Sequence, residues 1–407
     1  MILTEKHSIK KSNSRWKNID IMSFYSKNLY NQVNYYIKKH YEETGKFLRY
    51  NDLEKIFRTQ EYELTEYDNY HKLPNNTSQQ IMMVIDRSYT SFFKFIRKWK
   101  KNKKSLSGCP HSPKYKKKNG RNVLIFTQNQ VKLKKGYVHF PKKMNIVPIK
   151  TNVDNIKQVR IIPNKNKYTV EIIYNFEEIN YDLNKNNYLS IDLGLNNLVA
   201  ITTNQPNLRP LLINGNPLKS MNQYYNKKKA KIQSQLKKNH GKTWSNQLSN
   251  LTSKHQNKSN HYLHHVSKMI IQYAIDNDIC TIIIGHNKGW KQNINIGKVN
   301  NQKFVQIPFN RLIDQIRYKG QMIGIEVIET EESYTSKTDH LALEEMKHHE
   351  KYSGKRIKRG LFKTSKNVLL NADVNGSIGI MRKVIGNEFI IKLNRGCVTQ
   401  PIKVNPL

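Results

Sequence analysis

The chain has 407 residues, of which 70 are Lys or Arg and 30 are Asp or Glu, so its formal net charge is +40. At about 150 residues per domain, this length predicts two or three domains and excludes a single small module. The charge exceeds what solubility alone requires and indicates a polyanionic partner, because binding phosphates releases counterions.

Cysteine content and hydropathy exclude two further classes of protein. The three cysteines, Cys109, Cys280 and Cys397, are far apart and odd in number, so they predict neither a disulfide framework nor a CxxC metal site. The sequence contains no run of about 18 apolar residues, and its first residues, MILTEKHSIKK, lack the apolar core of a signal peptide. We therefore expect a cytoplasmic protein with no membrane partner.

The first half of the chain changes from a helical pattern to a strand pattern. From about Lys10 to Lys104 apolar residues recur at helical spacing, most clearly in the helix that follows Pro74. From Val123 to Phe176 the apolar period is two, and Gly or Asn residues occupy turn positions between the segments. This second pattern predicts a small antiparallel sheet or barrel.

An α/β pattern begins after the asparagine-rich connector at 180–187. The segments YLSIDLG, NNLVAITT and LRPLLIN predict three short strands, and a helical hairpin over 218–278 follows them, with a break at His240-Gly241. The strand CTIIIG, a helix over 308–323, the strand GIEVIET and a closing helix over 372–384 complete the order. Three consecutive strands followed by alternating helices and strands predict a ribonuclease-H-like fold.

Three acidic residues stand where a metal site could be built in such a fold. Asp192 lies inside an apolar strand, Glu332 follows the strand GIEVIET, and Asp373 opens the last helix. Burying a carboxylate without a partner is unfavourable, but Asp192 could also cap the following turn, and Asp373 could simply favour a helix N-terminus. If the three converge at one sheet edge, their hard oxygens suit Mg²⁺ or Mn²⁺ and a two-ion hydrolysis of phosphodiesters.

Several segments together resemble a known family. They are SIDLGLNNLVAITT, IIIGHNKGWKQ, NQKFVQIPFNRLIDQIRYKG, ESYTSKTD, GKRIKRGLF and NADVNGSIGIMRK, and they resemble TnpB, the insertion-sequence relative of type V CRISPR effectors. The resemblance covers nearly the whole chain and is strongest from Tyr188 onward. It implies a prokaryotic, nucleoid-associated protein with a transposon-derived guide RNA, a double-stranded DNA target beside a short adjacent motif, and a RuvC nuclease whose first and last aspartates match Asp192 and Asp373.

The resemblance also implies a domain order. Residues 1–15 and 108–180 would form a wedge-like β-barrel domain, with residues 16–107 inserted in it as a helical recognition domain. Residues 181–407 would form the RuvC-like, ribonuclease-H-like nuclease domain, which contains the hairpin at 218–278 and a target-nucleic-acid-binding insert at 336–370. The expected fold class is therefore α/β plus α+β.

The middle carboxylate departs from the family pattern. The usual glutamate at the end of the strand TIIIG is replaced here by Gly285. Some branches of the family carry the glutamate on the neighbouring strand, which would be Glu332 in this chain. Glu329 and Glu331 are rival positions, because alternation along a strand that continued this far would place them on the opposite face from Glu332. The expected catalytic and metal-binding set is Asp192, Glu332 and Asp373.

The insert departs from the family as well, because it lacks the paired CxxC motifs that often bind zinc there. His340, His348 and His349 could supply zinc ligands, but histidines on a helix surface are far more common. We therefore expect no zinc and an insert held by packing and polar contacts.

Three basic runs, at 114–118, 227–229 and 355–359, are interleaved with Tyr or Gly and suit contacts to a nucleic-acid backbone. For any single lysine, a solvated charged face is the alternative. Lysines of this kind position a strand without reading its sequence, so sequence choice would come from pairing with the guide.

The function expected from these features is Mg²⁺-dependent, RNA-guided cleavage of DNA by a transposon's nuclease. Gly285 leaves open an alternative in which a nuclease-inactive chain only binds guide RNA and DNA, as a repressor would. A transposase that joins DNA ends through a histidine–tyrosine site is not supported, because the sequence has no HxH motif of that type.

Overall fold

The computed structural model describes residues 1–59, 68–164, 166–287, 289 and 297–406. The chain divides into two compact units, residues 1–176 and residues 177–407, and each unit has its own apolar core. No helix in the described ranges is long and apolar enough to cross a membrane.

The first unit contains two antiparallel sheets. Its strands are β1 (Ile2–Lys10), β2 (Leu124–Thr127), β3 (Lys132–Lys134), β4 (Tyr137–His139), β5 (Ile149–Lys150), β6 (Ile156–Asn164) and β7 (Lys167–Asn175). One sheet has the order β1-β7-β6-β2 and the other has the order β3-β4-β5. Strand β1 pairs with β7 from Ile2 opposite Asn175 to Lys10 opposite Lys167. A closed barrel in this unit stays a prediction.

Helices are inserted in the chain between β1 and β2. They are α1 (Trp16–Thr44), α2 (Tyr50–Thr59) and α3 (Asn75–Lys101). The predicted apolar face of α3 is buried at Ile81, Ile85 and Tyr89, where it contributes to the core of the first unit. Its last turn carries Lys98, Lys100 and Lys101 and lies beyond that core.

The second unit contains a mixed sheet and a small antiparallel sheet. Its strands are β8 (Tyr188–Leu193), β9 (Asn197–Thr203), β10 (Leu211–Asn214), β11 (Thr281–Gly285), β12 (Glu326–Thr330), β13 (Lys355–Lys358), β14 (Leu361–Lys363), β15 (Leu369–Asn371) and β16 (Ile402–Val404). The mixed sheet has the order β12-β11-β8-β9-β10-β16, and β13-β14-β15 form the sheet of the insert. Strands β8, β9 and β10 are antiparallel neighbours, whereas β11 runs parallel to β8 and β12 parallel to β11.

Strand β16 was not expected from the sequence. It pairs in parallel with β10, from Ile402 opposite Leu211 to Val404 opposite Ile213. Three residues are too few for a reliable strand pattern, and their pairing depends on a partner almost two hundred positions earlier in the chain.

The helices of the second unit cover both faces of the mixed sheet. They are α4 (Asn216–His240), α5 (Asn246–Asp276), α6 (Lys298–Val305), α7 (Phe309–Gln321), α8 (Ala372–Ile385), α9 (Glu388–Lys392) and α10 (Arg395–Val398). Helix α4 ends where Gly241 adopts a left-handed φ of 58°, which is the position of the predicted break before α5. Helices α5 and α7 share a core with one face of the sheet, and α8 packs against the other face.

Candidate active site

Strand alternation turns Asp192 toward helix α8. The odd-numbered side chains of β8 belong to the core beneath α5 and α7, so Ser190 and Asp192 face the opposite side of the sheet. The Ser190 hydroxyl lies 2.7 Å from that of Thr202 on β9 and 2.9 Å from that of Ser377 on α8. These buried hydroxyls hold α8 across the end of β8, close to Asp192.

Gly376 allows α8 to approach the Asp192 carboxylate. A Cβ atom at this position would lie 2.8 Å from Asp192 Oδ2, which is closer than real Cβ atoms come. Glycine inside a helix costs roughly 1 kcal/mol relative to alanine, so the helix loses stability where the carboxylate needs room. Burial, followed by the nearby charges of Glu332 and Asp373, raises the pKa of Asp192 well above its usual range.

Glu332 occupies the space that a side chain at Gly285 would fill. Gly285 ends β11, one residue beyond the pairing of Ile284 with Ile191, and therefore stands beside Asp192. A Cβ atom at Gly285 would lie 2.4 Å from Ile380 Cδ1, 2.7 Å from Glu332 Oε1 and 2.9 Å from Glu332 Cγ. A carboxylate thus reaches the neighbourhood of Asp192 from position 332 instead of position 285.

The surroundings of the Glu332 carboxylate compensate its charge only in part. Its Oε1 atom is buried and has no hydrogen-bond partner among the described residues. Burial raises the pKa of Glu332 to about 7, although the charge of Lys383 acts in the opposite direction. An unsatisfied buried oxygen costs about 1–3 kcal/mol. Such an oxygen fits a position where a cation binds.

The two rival glutamates have other partners. Glu329 Oε2 lies 2.7 Å from His286 Nδ1, and its second carboxylate oxygen pairs with Arg317. Glu331 is exposed and accepts a hydrogen bond from the Ser333 hydroxyl. Strand β12 ends at Thr330, so the alternation that would separate positions 331 and 332 no longer applies there.

Asp373 lies in the first turn of α8, whose N-terminus is capped by Asn371 accepting from the Asp373 backbone N–H at 2.9 Å. The Asp373 carboxylate accepts a hydrogen bond from Asn197 Nδ2 at 2.7 Å and lies 3.6 Å from the Arg356 guanidinium. The half-exposed position of Arg356 makes this a weak ion pair. Sequence reasoning missed Asn197 entirely, and the basic run at 355–359 was the only signal for Arg356.

We refer to Asp192, Glu332 and Asp373 as the carboxylate edge. Among the residues that the structure describes, no three acidic, histidine or cysteine side chains form a finished metal-coordinating group. The three carboxylates are neighbours, but Asp373 is turned toward Asn197 and Arg356. Cation binding at this edge therefore requires a side-chain adjustment at Asp373.

His340 braces the turn that carries Glu332. Arg382 donates to His340 Nδ1 at 2.8 Å, so Nε2 carries the proton and donates to the Thr335 carbonyl at 2.7 Å. Thr335 in turn donates to the Glu332 carbonyl through its backbone N at 3.2 Å and its hydroxyl at 2.8 Å. A Cβ atom at Gly379 of α8 would overlap the His340 ring. Burial lowers the pKa of His340 to about 4, which keeps the ring neutral.

The other histidines considered for zinc have different surroundings. His348 is exposed, and His349 Nε2 lies 2.8 Å from the Glu345 carbonyl. Because His340 is already bonded through both ring nitrogens, the three histidines do not form a ligand set among the described residues. The expected absence of zinc stays a prediction.

The fold and the site define an α/β protein with an acidic cluster at the edge of a mixed sheet. Residues 171–291 match the family model OrfB_IS605, described as a probable transposase, and residues 309–380 match the Cas12f1-like TNB domain. The first match includes Asp192, and the second includes Glu332 and Asp373. These matches confirm the resemblance to the TnpB family that the sequence motifs indicate.

Solved structures of RNA-guided effectors are also similar to the chain. A Cas12f1–sgRNA–target DNA complex is 15% identical, with 93% of this chain and 98% of that chain covered and a TM-score of 0.37. A CRISPR-Cas12f ternary complex is 16% identical, with 90% and 81% covered and a TM-score of 0.33. The mini-RNA-guided endonuclease CRISPR-Cas_phi3 is 11% identical, with 97% and 93% covered and a TM-score of 0.45. No curated protein matches the chain.

Proposed function

We propose that this chain is the RNA-guided DNA endonuclease of a transposon, which cuts target DNA beside a short adjacent motif. The observation that carries the proposal is the placement of Glu332 in the space beside Asp192 that Gly285 leaves open. With a carboxylate in this space, Gly285 no longer favours a nuclease-inactive binding protein. The match of both carboxylate-bearing segments to family models supports the RNA-guided class.

The proposal assigns the second unit to the RuvC-like, ribonuclease-H-like class. The order β12-β11-β8-β9-β10, with an antiparallel β8-β9-β10 meander and parallel β11 and β12, supports this assignment. The first unit would provide the wedge and recognition domains. The pairing of β1 with β7, with the helices placed in the chain between β1 and β2, supports a helical insertion in a β domain.

Mg²⁺, or Mn²⁺ in its place, fits the donor set of the carboxylate edge. Carboxylate oxygens are the hard ligands that these cations prefer. Bound there by Asp192, Glu332 and Asp373, two ions would activate water and stabilise the leaving oxygen of a phosphodiester. The partnerless Oε1 of Glu332 and the raised pKa of Asp192 support a site whose negative charge is only partly balanced by the nearby Arg356 and Lys383.

The other side chains of the site position these carboxylates. Ser190 and Ser377 hold α8 against β8, so the first and last aspartates keep a fixed spacing. Asn197 fixes one oxygen of Asp373, while Arg356 neutralises the other until a cation replaces it. His340 acts through Thr335 on the turn of Glu332 and is a positioning residue.

Guide RNA and double-stranded DNA are the proposed partners. The net charge of +40 supports binding to polyanionic nucleic acids. Pairing with the guide would select the target, and the protein would read only the adjacent motif.

Sequencing the RNA that copurifies with the protein, followed by cleavage of a matched plasmid, tests this function. With Mg²⁺, the wild type should cut a plasmid that carries the guide-matched target beside a randomised motif library. Asp192→Ala should bind the same plasmid without cutting it. A chain with no defined RNA, or with no cutting at any motif, contradicts the proposal. Guide-dependent binding by a wild type that never cuts would support the nuclease-inactive alternative.

A further inference from the structure

Helix α1 buries a polar stripe in addition to its apolar face. The members of the stripe recur at intervals of three and four residues and so lie on one side of the helix. They are Ser23, Ser26, Lys27, Tyr30, Asn31 and Asn34. Buried polar groups require partners, and for Ser26, Lys27 and Asn34 they come from the segment 113–123, which turns at Lys118-Asn119 and which we call the strap. Asn31 is half-exposed and contacts the same segment, whereas the strap supplies no partner for the Ser23 hydroxyl. In sequence, such a stripe would be read as the solvent-facing side of the helix.

The Asn31 side chain makes two hydrogen bonds to the strap backbone, one as donor and one as acceptor, as a neighbouring β-strand would. Its Nδ2 donates to the Lys116 carbonyl at 2.9 Å, and its Oδ1 accepts from the Lys116 backbone N–H at 2.7 Å. Contacts of the same kind continue along the stripe: Asn34 to the Pro113 carbonyl at 3.2 Å, Lys27 to the Lys118 carbonyl at 2.9 Å, and Ser26 to the Val123 carbonyl at 2.8 Å. The strap backbone is therefore fixed by side chains of one helix.

An ion pair anchors the far end of the strap. The Arg121 guanidinium donates to both carboxylate oxygens of Asp20, at 3.0 and 2.7 Å. Tyr168 donates to the same carboxylate at 2.8 Å. Arg121 is thus occupied within the protein, in contrast to the lysines that precede it in the strap.

The strap lysines are presented to solvent without acidic partners. Lys114, Lys116, Lys117 and Lys118 are exposed. Within the described ranges, none of these four ammonium groups forms an ion pair with a carboxylate. The five residues 114–118 span roughly 16 Å when extended. The Lys116 ammonium lies over the Tyr30 ring, 4.8 Å from its centroid, so Lys114, Lys117 and Lys118 on the fixed backbone are the preformed row of positive charge.

We propose that the strap lysines bind the sugar-phosphate backbone of a nucleic acid and that Asn31 is the residue that presents them. Ammonium groups suit phosphates as point charges and impose no sequence preference. A strap that is ordered before binding loses less conformational entropy when it binds. The proposed partner is a polynucleotide. Only its identification as guide RNA or as target DNA rests on the proposed function.

The test measures binding by the full chain, freed of nucleic acid and kept in EDTA so that no cleavage occurs. Fluorescence anisotropy over a series of salt concentrations is recorded with two probes, the copurifying RNA and a duplex DNA. For Lys114→Gln/Lys117→Gln/Lys118→Gln, the slope of log affinity against log salt should fall by about 2–3, because each phosphate contact contributes roughly 0.9 in duplex DNA and 0.7 in single strands. The probe that responds identifies the strand on the strap.

Asn31→Ala tests the effect of fixing the strap backbone separately from the effect of the strap charge, because the substitution leaves the net charge unchanged. We expect its Kd for the responding probe to rise roughly 2- to 10-fold, which is the ordering cost of an immobilised segment. Asn28→Ala, on the same helix but with no side-chain hydrogen bond to the strap, is the matched control and should bind as the wild type does. Hydrogen exchange at the Lys116 amide should accelerate in Asn31→Ala only.

Two results would overturn the proposal. If exchange at Lys116 accelerates in Asn31→Ala while both probes bind with wild-type affinity, the strap is not a binding strip. If the lysine variant keeps the wild-type salt slope with both probes, the strap lysines do not contact phosphates. Cleavage plays no part in these measurements, so an inactive nuclease would leave them interpretable.

Discussion

The carboxylate edge and the insert both place acidic side chains out of water, and they do so in opposite ways. In the insert, Asp339 is fully buried and accepts from the backbone N–H groups of Ala342 and Ser365, at 3.2 and 2.6 Å. Glu344 accepts from the backbone N–H groups of Asp339 and Ser353, both at 2.7 Å. Burial alone would raise the pKa of Glu344, but these hydrogen bonds outweigh it and lower the pKa.

At the carboxylate edge the effect of burial on the pKa values outweighs the effect of hydrogen bonds. The pKa values of Asp192 and Glu332 are both raised, in each case chiefly by burial, and Glu332 Oε1 has no partner among the described residues. An acid surrounded by N–H donors stabilises the fold with its charge in place. Acids with fewer such donors that repel one another destabilise the fold while they are charged. The comparison therefore separates a structural network from the proposed functional one within a single unit.

Removal of Asp192 should have the largest effect. Asp192→Ala eliminates the first proposed ligand, and loss of metal-based stabilisation of several kcal/mol corresponds to a decrease of roughly 10³-fold or more in the cleavage rate. The rate is measured on guide-matched plasmid under single-turnover conditions. Asp314→Ala, at an exposed aspartate of α7, should cut at the wild-type rate, and equal losses in both variants would contradict the assignment.

The Mg²⁺ requirement should depend on pH through Glu332. Its pKa in the cation-free protein is about 7 against an ordinary 4.5, so a cation must displace a proton below neutral pH. The Mg²⁺ concentration for half-maximal cleavage should rise about tenfold per pH unit below 7, or roughly a hundredfold by about pH 5. An unchanged Mg²⁺ requirement across this range would contradict the raised pKa.

The raised pKa of Glu332 also predicts how the stability of the metal-free protein depends on pH. The raised pKa of Glu332 contributes stability that is fully present below about pH 4.5 and is lost as the pH rises through about 7. The Tm of the wild type in EDTA should therefore fall across this window. In Glu332→Gln the decline should be smaller, because the amide cannot ionise.

Disruption of the hydrogen bonds around His340 should lower the free energy of unfolding more directly than it lowers the cleavage rate. His340→Ala removes one of the partners of the buried Arg382 guanidinium and the His340 donor to the Thr335 carbonyl, which should reduce the free energy of unfolding by about 1–3 kcal/mol. Chemical denaturation measures this change, with His348→Ala as the exposed control. If His340→Ala also slows cleavage at temperatures where it is fully folded, with unchanged DNA affinity, the bracing of Glu332 is supported.

Moving the middle carboxylate from position 332 to position 285 should give the smallest effect on the cleavage rate. Glu332→Gly removes the middle carboxylate, whereas Gly285→Glu alone brings a side chain against both Glu332 and the flexible Cδ1 end of Ile380, which must shift. The double variant Gly285→Glu/Glu332→Gly should cut at least about tenfold faster than Glu332→Gly, because the carboxylate returns to the same neighbourhood. Additive losses in the double variant would contradict the shared space.

Local sequence patterns were sufficient for the parts of the site that lie on regular elements. Asp192 interrupts an apolar strand, and Asp373 opens a helix, so both could be singled out before any contact was known. Glu332 could not be separated from Glu331 by alternation, because the strand ends at Thr330. Its position depends on a contact with Gly285, which lies 47 positions earlier in the numbering.

Long-range contacts explain what the sequence did not reveal. Asn197 orients Asp373 from 176 positions away, and no motif marks it. Strand β16 exists because β10 is available for pairing. The polar stripe of α1 has the spacing of a packed face, and that periodicity was the available signal for the strap; its polar composition suggested solvent instead.

Cleavage by Glu332→Gln and Glu331→Gln, measured side by side on the same guide-matched plasmid with Mg²⁺, tests the central claim most directly. Both substitutions replace a carboxylate by an amide at neighbouring positions, one half-buried beside Gly285 and one exposed. We predict that Glu332→Gln cuts at least about a hundredfold more slowly than the wild type, as expected for a lost metal ligand, while Glu331→Gln cuts normally. Normal cutting by Glu332→Gln would contradict the claim that this residue completes the carboxylate edge.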